Sequence, residues 1–155
     1  MNDILQSAQI VELDTLTADE CLLLLSLATV GRIAFVVDGL PMVLPVNYRV
    51  AGDDSGPWIL LRSRPGRAID TASEQVAFEI DGIDHEHRRG WSVVARGVLR
   101  HLDDDEVERL GRHFDPRPWP REERTAWLAI SIEALSGRRL TTHAEEWALP
   151  PEAYL

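Results

Sequence analysis

The sequence predicts a mainly β, antiparallel fold in which short strands close into a barrel and a few helices flank it. Three observations carry this expectation. Strand-length segments rich in Val, Ile, Leu and Phe recur from Gly31 to Thr142, separated by tight-turn signals such as Asp38-Gly39 and Ser136-Gly137. Helical patterns are few and irregularly placed, so repeated βαβ units do not form. No Gly-rich dinucleotide fingerprint follows a strand and no Walker-type Gly-Lys-Ser/Thr occurs, which argues against Rossmann dehydrogenases and P-loop NTPases.

The elements follow in order. Met1 to Asp14 reads as a polar leader whose isolated apolar residues, Ile4, Leu5, Ile10 and Val11, would pad an edge or lie across a partner. Thr17 to Glu20 forms a capping box, in which the hydroxyl and the carboxylate satisfy early helix donors. The helix it opens runs to about Ala28 and is apolar on most faces, so it should be largely buried. Gly31 to Val37 is a strand ending at Asp38-Gly39, and Met42 to Val50 is its return, with Pro41 at the start and Pro45 inside. A proline within a strand marks an edge, a bulge or a place where ladder bonding is given up.

Ala51 to Pro57 reads as a polar loop and Trp58 to Arg62 as a strand. A break at Ser63 to Gly66 precedes a short helix over Arg67 to Ser73. Val76 to Ile80 is a strand, Asp81 to Arg89 a loop, and Trp91 to Leu102 a long strand. Asp103 to Asp105 open a helix reaching about Phe114, where three acids suit the positive end of the helix dipole better than they suit a metal. Asp115 to Pro120 carries three prolines and must be irregular. Ala126 to Ala134 and Arg138 to Thr142 close the sheet, with Ser136-Gly137 as their turn.

A chain of 155 residues with 45% apolar content fits one domain over residues 1–155, with 1–16 as leader and 143–155 as tail. Its formal net charge of -10 repels phosphate backbones and anionic lipid, so neither nucleic acid nor membrane is an expected partner. The apolar run around Leu22 to Leu25 is too short to span a bilayer, and no basic segment with a cleavage site precedes it. The single Cys21 permits no intrachain disulfide. A cytoplasmic location follows as the expectation.

Against that acidity, Leu61 to Arg67 stands out: Arg62, Arg64 and Arg67 join Ser63 and Gly66 where a strand ends and a helix should begin. Fork-shaped cations, a hydroxyl and open N–H groups are what a phosphate requires. On composition alone, a solvated loop paired with surface carboxylates is an equal reading. In Leu44 to Tyr48, Pro45 and Asn47 would free backbone groups for a flat heteroaromatic edge, or simply end an edge strand. In Arg88 to Arg96, Trp91 and Ser92 could face a ligand, or Trp91 could be core while Arg88 and Arg89 balance Asp81, Asp84 and Glu86. His85 and His87 lack a third ligand, and no nucleophile elbow occurs.

Taken in order, Val30 to Phe35, Asp38 to Tyr48, Arg62 with Gly66, Val76 to Asp81, and Gly90 to Val94 with Gly97 resemble the pyridoxamine 5'-phosphate oxidase-like flavoproteins. The resemblance covers about Thr17 to Leu102 and is nearest the actinobacterial branch, which is also similar to the nitroimidazole-resistance reductases. It implies an antiparallel split β-barrel of the FMN-binding type. It also implies a homodimer with FMN at the subunit interface, and a flavin-dependent oxidation or reduction of a small molecule. Val46 and Asn47 would face the flavin ring, and Arg62, Ser63, Gly66 and Arg67 would hold the phosphate. Trp91 and Ser92 would lie near the cofactor or the dimer seam. One position departs: Ala68 stands where many similar proteins have lysine, leaving the role to Arg64 or Arg67, or pointing to another cofactor or to none. The rival expectation is a non-enzymatic barrel for a flavin, deazaflavin or haem, or an interaction module.

Overall fold

Asp38 and Gly39 both take positive φ, 51° and 78°, as a two-residue type I′ turn requires. In the computed structural model, which describes residues 11–54, 56–71, 74–116 and 125–142, this turn folds β2 (Val30–Val37) onto β3 (Leu40–Asp53) with Val37 opposite Leu40. Around that hairpin lie β1 (Val11–Thr15), α1 (Ala18–Leu27), β4 (Gly56–Ser63), a 3-10 turn (Ala68–Thr71), β5 (Gln75–Asp84), β6 (Arg89–His101), α2 (Asp104–Phe114) and β7 (Ala126–Thr142). The strands close in the order β7-β4-β3-β2-β5-β6 and back to β7, antiparallel throughout, with β1 added along β7. This is the antiparallel barrel expected from the sequence.

The two longest strands divide it by changing partners. Residues 40–47 of β3 pair with β2, and residues 48–53 pair with β4. Along β7, residues 126–131 pair with β4 and 138–142 with β1, while β6 follows the opposite edge. A bulge shapes that long β6–β7 ladder: Arg96 faces Ala134 but Gly97 faces Ile132, so Glu133 is the extra residue. A Cβ on Gly97 would sit 1.8 Å from the Ser131 carbonyl oxygen, so only glycine permits this approach.

Inside the ring, Ile33, Phe35, Phe78, Ile80, Val93 and Ala95 alternate with outward residues and form the core. Alternation is lost where α2 covers the outside. Ile59, Leu60 and Leu61 on β4, and Leu128, Ala129 and Ile130 on β7, are each buried in succession, with Leu60 and Ala129 packing against Leu110. Asp103 caps α2 through a reciprocal bond pair with Glu106, as Thr17 caps α1 with Glu20. Core residues Cys21, Leu24 and Leu25 anchor α1 to the barrel, and the buried Tyr48 hydroxyl donates to the Leu25 carbonyl at 2.6 Å.

Several expectations are corrected. The leader contains β1, paired register-for-register with Thr142 to Arg138. Leu23 and Leu27 remain exposed on α1, which is therefore buried along one side only. The two loops read at Ala51 to Pro57 and Asp81 to Arg89 shrink to tight turns, because their flanking strands extend to Asp53 and Gly56, and to Asp84 and Arg89. The short helix is a single 3-10 turn over its described part. Ser136 and Gly137 make no turn; β7 runs straight through them. Gly137 is small for another reason: a Cβ there would meet Cys21 Sγ at 2.6 Å and Leu16 Cδ1 at 2.9 Å, so it lets α1 approach β7. The proline-rich stretch falls largely outside the described residues.

Candidate functional site

The partner change in β3 opens the first cleft. Tyr48 is the first β3 residue to face β4, across from Leu61. Before it β3 lies on β2, whereas Arg62 and Ser63, past Leu61, pair only with Trp127 and Ala126 of β7. The strands part around a cleft of about 350 Å³. One wall is Met42, Leu44, Pro45 and Val46; the other is Leu61, Arg62, Ser63 and Arg64; Arg67, Ala68 and Ile69 complete it. The Tyr48 N–H donates to Thr29 O, toward β2. Alternation along the strand then points the N–H groups of Val46 and Leu44 at β2 and places the ring nitrogen of Pro45 on the cleft side. Pro45 therefore removes no bond from the β2–β3 ladder.

Charge and apolar surface face each other here. Arg62 is tied at Nη1 to Asp115 Oδ1 (3.2 Å) and lies 5.1 Å over the Trp127 ring, which fixes its guanidinium. Arg67 is exposed at the rim, with no acidic partner among the described residues. Ser63 is the one buried polar side chain among them, and its hydroxyl lies 3.3 Å from the Arg64 carbonyl. Gly66 takes φ +77°, and its N–H is already donated to Asp70 Oδ2 at 2.5 Å. The other oxygen of Asp70 is buried without a donor. Any anion held here relies on side chains more than on the N–H of Gly66.

Of the residues singled out in the sequence, Val46, Arg62, Ser63 and Arg67 thus meet in one cleft with Ala68. Asn47 follows Val46 on β3, opposite Val30, and Gly66 forms the turn; neither is on the lining. Trp91 and Ser92 line a second cleft, of about 530 Å³, on the sheet formed by β5, β6, β7 and β1. Sequence reading missed Met42, Asp70, Asp115 and Trp127 around the first cleft, and Arg138 in the second. Nothing in the local sequence marks them, since their places depend on strand pairing.

Comparison with known proteins accords with this architecture. The model of the family described as pyridoxamine 5'-phosphate oxidase matches residues 17–139. The chain belongs to that family. Within the pyridoxamine 5'-phosphate oxidase family it is similar to an uncharacterised protein of Mycobacterium tuberculosis, 33% identical over 140 residues that cover 87% of this chain and 89% of the other. Among solved structures it is similar to an FAD binding protein from Mycobacterium smegmatis, with TM-score 0.65, 30% identity, and coverage of 81% of this chain and 96% of that one. An FAD-binding protein from Mesorhizobium loti matches with TM-score 0.63 and 27% identity, covering 85% of this chain and 99% of that one. The family and the split-barrel fold expected from the motif order are thereby established. No helix among the described residues is long and apolar enough to cross a membrane.

Proposed function

We propose that this protein binds FMN in the cleft between β3 and β4 and acts as a flavin-dependent oxidoreductase. The observation that carries the reading is the parting of these strands, which sets an apolar wall around Val46 opposite the cations of the Arg62 to Arg67 segment. The residues fit the group. A planar ring needs a narrow apolar slot, which Met42, Leu44 and Val46 supply, and a terminal phosphate needs cations and a hydroxyl, which Arg64, Arg67 and Ser63 supply. Asp115 and Trp127 hold Arg62 so that it lines the slot without having to be ordered on binding. The flavin itself would carry the hydride or electron transfer, and the protein would hold, orient and shield it.

The solved relatives named above are described as binding FAD. FAD contains the FMN unit, so the same residues serve either cofactor and the bound species must be identified chemically. The separation of the two clefts supports a homodimer: were one flavin touched both by Val46 and Arg67 and by Trp91 and Ser92, as the resemblance implies, the second pair would come from another copy. A cytoplasmic setting suits the free, buried Cys21.

The purified protein should be yellow, and acid release followed by chromatography should separate FMN from FAD. Arg67→Ala should weaken flavin binding by about 1.5–3 kcal/mol, tenfold or more, and added salt should weaken it further. Unchanged affinity in Arg62→Ala, Arg67→Ala and the double variant would move the site elsewhere. Light scattering that returns a monomer mass with cofactor present would remove the dimer.

A further inference from the structure

Past the end of β4 the chain places two arginines at the first cleft from a turn that belongs to no strand. Arg64 and Arg67 are the ends of a four-residue reversal, Arg64-Pro65-Gly66-Arg67. The Arg67 N–H closes it on the Arg64 carbonyl at 3.4 Å, a long and weak bond. Pro65 has no N–H to add, and Gly66 sits at φ +77°.

Asp70 ties this reversal together. Its N–H donates to the Arg67 carbonyl at 2.8 Å, and its side chain reaches back to accept the Gly66 N–H at 2.5 Å. The two residues before it are anchored, since Ile69 is buried in the core and Ala68 packs against the same cluster. Arg64 and Arg67 are left to line the cleft. The second oxygen of Asp70, Oδ1, is buried without a donor. An unmatched carboxylate oxygen is costly, and an aspartate that only closed a surface turn could keep both oxygens in water. A negative group next to cations meant for an anion would also oppose binding, unless its hydrogen bond matters more than its charge.

We propose that Asp70 is the positioning residue for the anion end of this cleft. Its carboxylate holds the Gly66 turn so that Arg64 and Arg67 are already oriented when a phosphate arrives. By taking the Gly66 N–H it leaves recognition to those side chains and to Ser63. The identity of the anion rests on the flavin reading; the hold of Asp70 on the turn does not.

Fluorescence titration of the full chain, freed of any flavin it carries, with FMN and with riboflavin tests this, because riboflavin has the same ring and no phosphate. Wild type should prefer FMN. Asp70→Ala, and Asp70→Ser whose side chain is too short to reach Gly66, should weaken FMN about tenfold and leave riboflavin within about twofold. Asp70→Asn keeps an oxygen that accepts the Gly66 N–H and should stay within about threefold of wild type for FMN. The Gly66 amide should exchange hydrogen slowly in wild type and Asp70→Asn, and fast in the other two. FMN affinity unchanged or tighter in Asp70→Ala and Asp70→Ser, or an equal loss of FMN and riboflavin, overturns the proposal. So does a loss in Asp70→Asn as large as in Asp70→Ala, which would make the charge the agent rather than the bond. Wild type that binds neither compound sinks the flavin reading instead. Gly66 exchange then decides the role of Asp70 by itself, and equal rates in wild type and Asp70→Ala overturn it.

Discussion

Replacing Tyr48 with phenylalanine removes a single oxygen atom from the centre of the molecule. Tyr48 is fully buried, its ring packs edge-on against Phe78 with centroids 4.8 Å apart, and its hydroxyl donates to the Leu25 carbonyl at 2.6 Å. Leu25 lies in the last turn of α1, where carbonyls have no intrahelical donor, and it is itself fully buried, so water cannot replace the lost bond. The ring contact survives the substitution and almost no cavity forms. The cost is therefore that of leaving one buried carbonyl unsatisfied, about 1–3 kcal/mol. Taking about 2 kcal/mol, the melting temperature should fall by roughly 4–8 °C for a domain of this size. Thermal melts by circular dichroism of wild type, Tyr48→Phe and Tyr48→Leu would show it, the leucine variant falling further because it also loses the aromatic edge contact. Burial also pushes the Tyr48 phenol above its ordinary value, so the folded state favours the neutral form. That contribution is fully present below about pH 10 and is lost as pH rises through the raised folded value. Equal melting of wild type and Tyr48→Phe would refute the view that this bond anchors α1 to the barrel.

Other outcomes follow from single contacts. Gly97→Ala must displace the Ser131 backbone, which no rotamer can relieve, and should cost about 3 kcal/mol or more, seen as loss of soluble yield or a large fall in melting temperature. The bidentate Arg100 pair, then the Asp103 N–H, hold Glu106 down from 4.5 to about 2. The Asp84 carboxylate is likewise lowered to about 2, chiefly by the His87 N–H. Both stabilise above the unfolded carboxylate range, and that stability is lost as pH falls through about 2. Denaturant melts between pH 5 and about 2 should thus show falling stability, with a shallower slope in Glu106→Gln; an unchanged slope would mean that the pair contributes nothing.

The sequence by itself determined whatever depends on neighbours along the chain. Thr17 with Glu20 and Asp103 with Glu106 define helix starts, and the left-handed tolerance of Asp38-Gly39 defines a hairpin, because each is satisfied within four residues. Motif order was enough to reach the family, and the arginine segment was visible because cations are scarce. Strand ends were less legible. Asp53 and Asp84 look like loop residues, yet pairing partners carry the strands through them. Gly137 resembled a turn residue, and only the packing of Cys21 and Leu16 against it shows why a side chain is excluded. Tertiary structure alone separated Trp91 and Ser92 from the Arg62 to Arg67 cleft and set Arg138 beside Ser92. Register in a closed sheet is fixed by the whole ring of strands, so residues that share a face across it leave no local trace in the sequence.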